Sequence, residues 1–198
     1  MGEGARAVAL VEGISDQVAL EALAERRGLD LDAERVRIVP MGGATNIGRF
    51  LARFGPSGAG VTVAGVCDAG EEGAFRRALE LAGLGAGLDR ARMEELGFFV
   101  CVEDLEDELI RAVGVPGVEA VIAAQGELAT FRTFQNQPAQ RARSTEAHLR
   151  RFMGTKSGRK IRYPRLLVDV MDLGAVPRPL DAVLDHVRSR DVRPRPSE

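Results

Sequence analysis

Four carboxylates and two lysines are the residues of this 198-residue chain best placed to do chemistry. Glu12, Asp68, Asp104 and Glu106 each follow a short apolar run. Asp16 lies one helical turn beyond Glu12 and can return to the same side. Hard oxygen donors of this kind suit Mg²⁺ or Mn²⁺. Carboxylates gathered in one place repel each other, and a folded chain needs cations there. Two such ions can hold both the attacking water and the leaving oxygen of a phosphodiester. Any one of these acids has a plainer use. Asp16 reads equally as a helix cap, and the run Glu103 to Glu108 as the acidic first turn that a helix dipole favours.

The charge pattern separates two regions. Lys and Arg total 27 against 29 Asp and Glu, a net −2, and only Lys156 and Lys160 are lysines. From residue 141 onward there are 14 basic and 7 acidic residues, a net +7, which leaves −9 for residues 1–140. An acidic first part and a basic last part suggest a divalent-metal site facing a polyanion. Arg141, Arg143, Arg150, Arg151, Arg159 and Arg162 are the candidates to hold a nucleic-acid backbone. Two unrelated solvated faces would produce the same arithmetic.

Several classes are excluded. Lys156 follows Thr155 and Lys160 follows Arg159, so neither makes a P-loop, and no ATP site is expected. Cys67 and Cys101 with His148 and His186 do not supply a four-ligand zinc cluster; both cysteines read as small buried thiols. Two thiols without a signal sequence fit the cytoplasm, and no run approaches a membrane span.

The elements that must position the acids alternate. Strands are expected at 7–11, 36–41, 61–67 and 98–102, with helices from Ser15 or Asp16 to about Arg27, over 46–54, over 71–81, and from 103 to about 113. Near-continuous apolar strands alternating with helices predict an α/β fold, a parallel sheet of about four strands covered on both faces. Ligands of such sheets bind beyond the carboxyl ends of the strands, where Glu12, Asp68 and Glu103-Asp104-Leu105-Glu106 fall. The second strand ends only on Gly42-Gly43. Beyond Val115 the pattern is helical, at 117–129, 144–152, 162–171 and 180–187. A small basic loop is expected at 154–158. The division predicted is a core over 1–113, a helical basic extension over 114–190 and a flexible tail over 191–198.

Ala9-Leu-Val-Glu-Gly-Ile-Ser-Asp16 resembles the first motif of TOPRIM domains. Met41-Gly-Gly43 resembles the glycine turn of their second strand, and Val66-Cys-Asp68 the acidic motif after their third. Glu103-Asp-Leu-Glu106 with Leu109-Ile110 resembles the acidic segment of the OLD (overcoming lysogenization defect) nucleases. Gly158-Arg-Lys-Ile-Arg-Tyr163 is similar, more loosely, to the lysine region of that family. The resemblance implies a Rossmann-like TOPRIM sheet with metal ligands at Glu12, Asp16, Asp68, Asp104 and Glu106. It also implies a catalytic role for Glu12 and for Lys160, or Lys156, beside the phosphate.

The family's Asp-x-Asp is here Asp68-Ala69-Gly70, and Glu71 is the candidate substitute. The implied function is endonuclease- or nickase-like phosphodiester hydrolysis on nucleic acid, DNA in the first instance, with two Mg²⁺ or Mn²⁺ ions. The alternatives are a catalytically weakened binding or regulatory module, and a phosphohydrolase or nucleotidyl transferase acting on small nucleotides. A standalone TOPRIM ribonuclease also fits. Full-length OLD proteins also carry an ATPase domain, for which this chain has no P-loop and no room; a standalone form is expected, with any ATPase supplied in trans by another chain, and a homodimer is the other candidate assembly. A topoisomerase would need a tyrosine nucleophile, and Tyr163, in a helical segment, reads as packing.

Overall fold

The structure is a computed structural model in which residues 4–189 are described. The expected tail over 191–198 lies outside them. Strand β1 (Ala7–Val11) leads through α1 (Ile14–Arg26) to β2 (Val36–Pro40), and α2 (Ile47–Phe54) leads to β3 (Thr62–Cys67). Helices α3 (Glu72–Leu81) and α4 (Arg90–Glu95) precede β4 (Phe98–Val100). The remainder is α5 (Leu105–Ala124), α6 (Leu128–Gln135), α7 (Thr145–Gly154), α8 (Ser157–Val170) and α9 (Arg178–Arg188).

All strand pairs are parallel, in the order β2-β1-β3-β4. Every residue of β1 is buried because the strand has a neighbour on each side and a helical layer on each face. Side-chain alternation divides it. Ala7, Ala9 and Val11 join the larger core beneath α1, α5, α8 and α9, whereas Val8 and Leu10 join the smaller core beneath α2, α3 and α4. Gly65 lets β3 fit closely here, since a Cβ at that position would lie 3.1 Å from the Phe98 ring and 3.0 Å from the Leu10 carbonyl oxygen. Phe75, fully buried against the edge of Phe98, anchors the smaller core; its truncation to alanine would cost about 3–5 kcal/mol.

Several expectations need correction. The helix expected over 117–129 is split, α5 ending at Ala124 and α6 starting at Leu128. The fourth strand stops at Val100 instead of running to 102, because the Val102 N–H is taken by the Glu108 carboxylate at 2.8 Å rather than by a neighbouring strand. Helix α8 begins at Ser157, inside the expected 154–158 loop, because the Lys156 carbonyl accepts the N–H groups of Arg159 and Lys160. Lys160 therefore sits on the first turn of a helix. The short α4 was not anticipated between the 83–87 glycines and β4; Asp89 caps it by accepting the Arg92 N–H at 2.8 Å.

The chain bends inside α5 at Gly114 (φ 74, ψ 153), a conformation that glycine adopts readily. Beyond that bend α7 and α8 pack on α5, α8 packs along α1, and α9 returns to cover β1, β3 and β4. Among the described residues no helix is long and apolar enough to cross a membrane.

Candidate active site

The order β2-β1-β3-β4 places a reversal between β1 and β3: the chain leaves β1 in one direction to form β2 and returns on its other side to form β3. At such a point the two adjoining loops diverge and leave a crevice beyond the strand ends. Glu12 and Asp68 are the first residues after those two strands. The crevice is lined by Glu12, Asp16 and Asp68, over a floor of Val11, Leu20, Val66, Cys67, Leu105 and Leu180. Three carboxylates thus stand over an apolar floor.

Local structure orients each acid. The glycine turn after β2 donates the N–H groups of Gly42 and Gly43 to the Glu12 carbonyl, at 3.0 and 3.1 Å, which fixes the backbone under Glu12. Gly42 and Gly43 have φ of 71° and 121°, values that favour glycine. Helix α1 is capped at Gly13, not at Ser15 or Asp16; Asp16 is its third residue and accepts the Gly13 N–H through Oδ2 at 2.7 Å. Asp16 is therefore not the helix cap; it stands in the crevice and ties back to the cap residue Gly13.

The acidic run after β4 divides by helical geometry. Asp104 is the N-cap of α5, accepting the Asp107 N–H at 2.9 Å through Oδ1, while its Oδ2 is ion-paired with Arg150. Glu106 faces a second cleft beside the crevice. Asp107 pairs with Arg111 at 3.0 Å. Glu108 is buried, holding Arg111 at 2.7 Å and the Val102 N–H. The second cleft is lined by Asp104, Glu106, Arg143, Ala147, Arg150, Arg151, Gly154 and Lys160. Acidic and basic walls therefore meet in one depression.

Electrostatics ties the two clefts together. Burial pushes the Asp68 carboxyl up to about 7, and the charges of Asp104, Glu12, Asp16 and Glu106 push it the same way. Burial pushes Asp16 up to about 6; Glu106 and Glu12 add to the rise, while the Gly13 N–H and Lys160 oppose it. Glu106 is raised by burial and by Asp104, and Lys160 and Arg150 pull it back. These groups lie within each other's fields, and Lys160 acts on two of them.

The donor chemistry suits a hard cation: oxygen ligands, mutual repulsion, and two carboxyls pushed up by burial and by neighbouring acids. Among the described residues no three His, Cys, Asp or Glu side chains are grouped closely enough to hold one ion as they stand. Two acids have other engagements, Asp16 with the Gly13 N–H and Asp104 with Arg150. Glu71 lines neither cleft. It ends the 3-10 turn after Asp68, donating its N–H to the Asp68 carbonyl at 2.9 Å.

The basic candidates separate likewise. Lys160, Arg143, Arg150 and Arg151 line the cleft. Lys156 is the exposed N-cap of α8, and Arg141 is exposed; neither lines the cleft. Arg159 was expected at a nucleic-acid surface but is only 5% exposed. It donates to Glu127 through Nε at 3.0 Å and Nη2 at 2.9 Å, and it stacks over Phe152 at 3.9 Å. Arg162 also donates to Glu127, at 3.0 Å. Tyr163, fully buried, donates its hydroxyl to the same carboxylate at 2.6 Å. The sequence reading missed Glu127, since nothing around residue 127 marks a lone acid as the partner of groups over thirty residues away. Cys67 and Cys101 are buried free thiols, both pushed up by desolvation.

Residues 5–69 match the family model for the TOPRIM domain of overcoming lysogenization defect protein-like sequences. Among solved structures, the C-terminal region of the Burkholderia pseudomallei OLD protein superposes with a TM-score of 0.72 at 22% identity, over 93% of this chain and 98% of that one. The C-terminal region of the Xanthomonas campestris pv. campestris OLD protein gives 0.73 at 25% identity, over 93% and 92%. A search of curated proteins found no match. Residues 5–69 are thus similar to the OLD-like TOPRIM domain, within a four-stranded parallel fold that the chain shares, over 93% of its length, with C-terminal regions of OLD proteins.

Proposed function

We propose that the protein is a divalent-metal-dependent hydrolase of nucleic-acid phosphodiesters, acting as an endonuclease or nickase on DNA. The observation that carries this reading is the junction of two clefts: Glu12, Asp16 and Asp68 at the strand reversal, and Asp104 and Glu106 facing Arg143, Arg150, Arg151 and Lys160. TOPRIM domains generally bind divalent metals, which supports the same reading. Residues 1–113 would form the catalytic core and 114–190 the basic extension.

Glu12, Asp16, Asp68 and Glu106 would hold Mg²⁺ or Mn²⁺, with Asp104 joining once released from Arg150. When bound, such ions lower the pKa of an attacking water and neutralise charge on the scissile phosphate. Glu12, on a backbone held by the glycine turn, orients the water. Lys160 places a compact positive charge beside the phosphate oxygens as negative charge develops on them. Arg143 and Arg151 hold neighbouring phosphates, which gives affinity without sequence choice. Lys156, Arg159 and Arg162 have no part in this mechanism.

Supercoiled plasmid incubated with the protein and Mn²⁺ tests the reading, with Glu12→Ala as control. Metal-dependent nicking lost in that variant supports it; nicking that persists would sink the site assignment. One observation favours a second reading, a binding or regulatory module of weakened activity: Gly70 stands where the second Asp of Asp-x-Asp is expected, and Glu71 does not reach either cleft. That reading predicts DNA binding indifferent to chelator and no cleavage.

A further inference from the structure

We infer that Arg150 is a tethered counter-cation for Asp104, which a divalent ion must displace before Asp104 can act as a ligand. The inference rests on the metal-site reading above and goes beyond it by assigning a competitor within the chain.

Asp104 has both carboxylate oxygens committed. Oδ1 accepts the Asp107 N–H and holds the start of α5, and Oδ2 is paired with Arg150 of α7. The two ends of the pair differ. The Asp104 side chain is 14% exposed and Arg150 is 44% exposed, so the acid is fixed by its helix cap while the guanidinium reaches in from a solvent-facing stem. An arginine on such a stem can swing away at little cost, whereas Asp104 leaves only by uncapping α5. Arg150 also lowers the proton affinity of Glu106, so its charge reaches a second acid of the same wall.

A cation entering between Asp104 and Glu106 meets a positive group already in place. Two positive charges cannot share one carboxylate oxygen without repulsion, so metal entry and the Arg150–Asp104 pair are alternatives. Once displaced, Arg150 remains on the cleft wall with Arg143 and Arg151. It is then available to a phosphate, a group that guanidinium donors fit well. Loading with metal and binding of the polyanion are thereby coupled, and the coupling is reciprocal.

Titration of Mn²⁺ into the full chain by calorimetry tests this, using wild type, Arg150→Met, Arg150→Lys, Asp104→Asn and the Arg150→Met/Asp104→Asn double variant. Arg150→Met keeps the aliphatic stem and should tighten Mn²⁺ binding roughly two- to fivefold. Arg150→Lys should stay near wild type. In the Asp104→Asn background Arg150→Met should change nothing, because the competition runs through Asp104. Equal or weaker Mn²⁺ binding by Arg150→Met overturns the competition while leaving the metal site standing. The same tightening in the Asp104→Asn background also overturns it, since the effect would then be general charge removal. Absence of Mn²⁺ binding in all five proteins overturns both the competition and the metal-site reading.

Discussion

Two groups of acids and bases, one around Glu127 and one at the strand reversal, use the same residue types to opposite ends. At Glu127 one carboxylate is saturated by Arg159, Arg162 and Tyr163, and these partners hold it below the usual carboxylate range. At the reversal burial, and after it the charges of neighbouring carboxylates, push Asp16 and Asp68 up to about 6 and about 7. The first group is a satisfied structural link between the start of α6 and α8. The second holds buried, crowded carboxyls whose charge a ligand or a proton would relieve. Neighbouring arginines thus acquire opposite uses: Arg159 closes a buried contact, whereas Arg150 and Arg151, one helix earlier, line an open cleft. Basic charge in a sequence says little until its partners are known.

The largest effect should come from the unsatisfied group. Glu12→Ala or Asp68→Ala should lower metal-dependent nicking by about a hundred- to a thousandfold, the range for removing one group that stabilises a charged transition state, with the fold intact by circular dichroism. Comparable nicking by these variants would dissolve the distinction between the two groups. Glu127→Ala should do the reverse. It leaves buried Arg159 without its partner, so stability should fall by about 3 kcal/mol, read from denaturant unfolding. A loss below about 1 kcal/mol would show the link to be ornamental.

The lysines sharpen the contrast on a smaller scale. Lys160→Met should slow nicking about a hundredfold, and Lys156→Met by less than about threefold. Equal losses would mean that position in the cleft does not select the working lysine. Lys160→Arg keeps the charge but not its compact shape and should fall between the two.

The smallest effect is on stability against pH. A carboxyl raised in the folded state binds its proton there more tightly than in the unfolded chain. Between about pH 4 and pH 7 the native state therefore carries more protons at Asp68, and stability falls as pH rises through this window. Asp68→Asn removes the cost and should raise Tm by a few degrees at pH 8, with the difference shrinking toward zero near pH 4. Saturating Mg²⁺ should narrow it at pH 8 as well. A Tm difference independent of pH would contradict the raised carboxyl of Asp68.

Much of the core was legible in one dimension. The runs 7–11 and 63–67 carry no polar side chain because β1 and β3 lie between other strands, and such burial leaves no polar face. Glu12 and Asp68 end those runs, and the rule for strand ends brings them together in space. Strand β4 was overread because Cys101-Val102 continues the apolar run, while a carboxylate six residues ahead claims the Val102 N–H. The start of α8 was missed because Gly154 and Gly158 read as a loop, and the bonds from the Lys156 carbonyl are tertiary in consequence though local in sequence.

The amino-acid sequence by itself determined the alternation of strands and helices, the acids at the strand ends and the clustering of both lysines in one stretch. Those features are local: apolar periodicity and chain order are enough to establish them. Only the tertiary structure decided which cations serve the acids. It turned Arg159 inward to Glu127, left Lys160 one residue on in the cleft with Glu106, and brought Arg150 from α7 onto Asp104. The physical reason is distance. Partners separated by more than thirty residues meet only after the helices pack, and whether a charge is satisfied or stranded is a property of that packing.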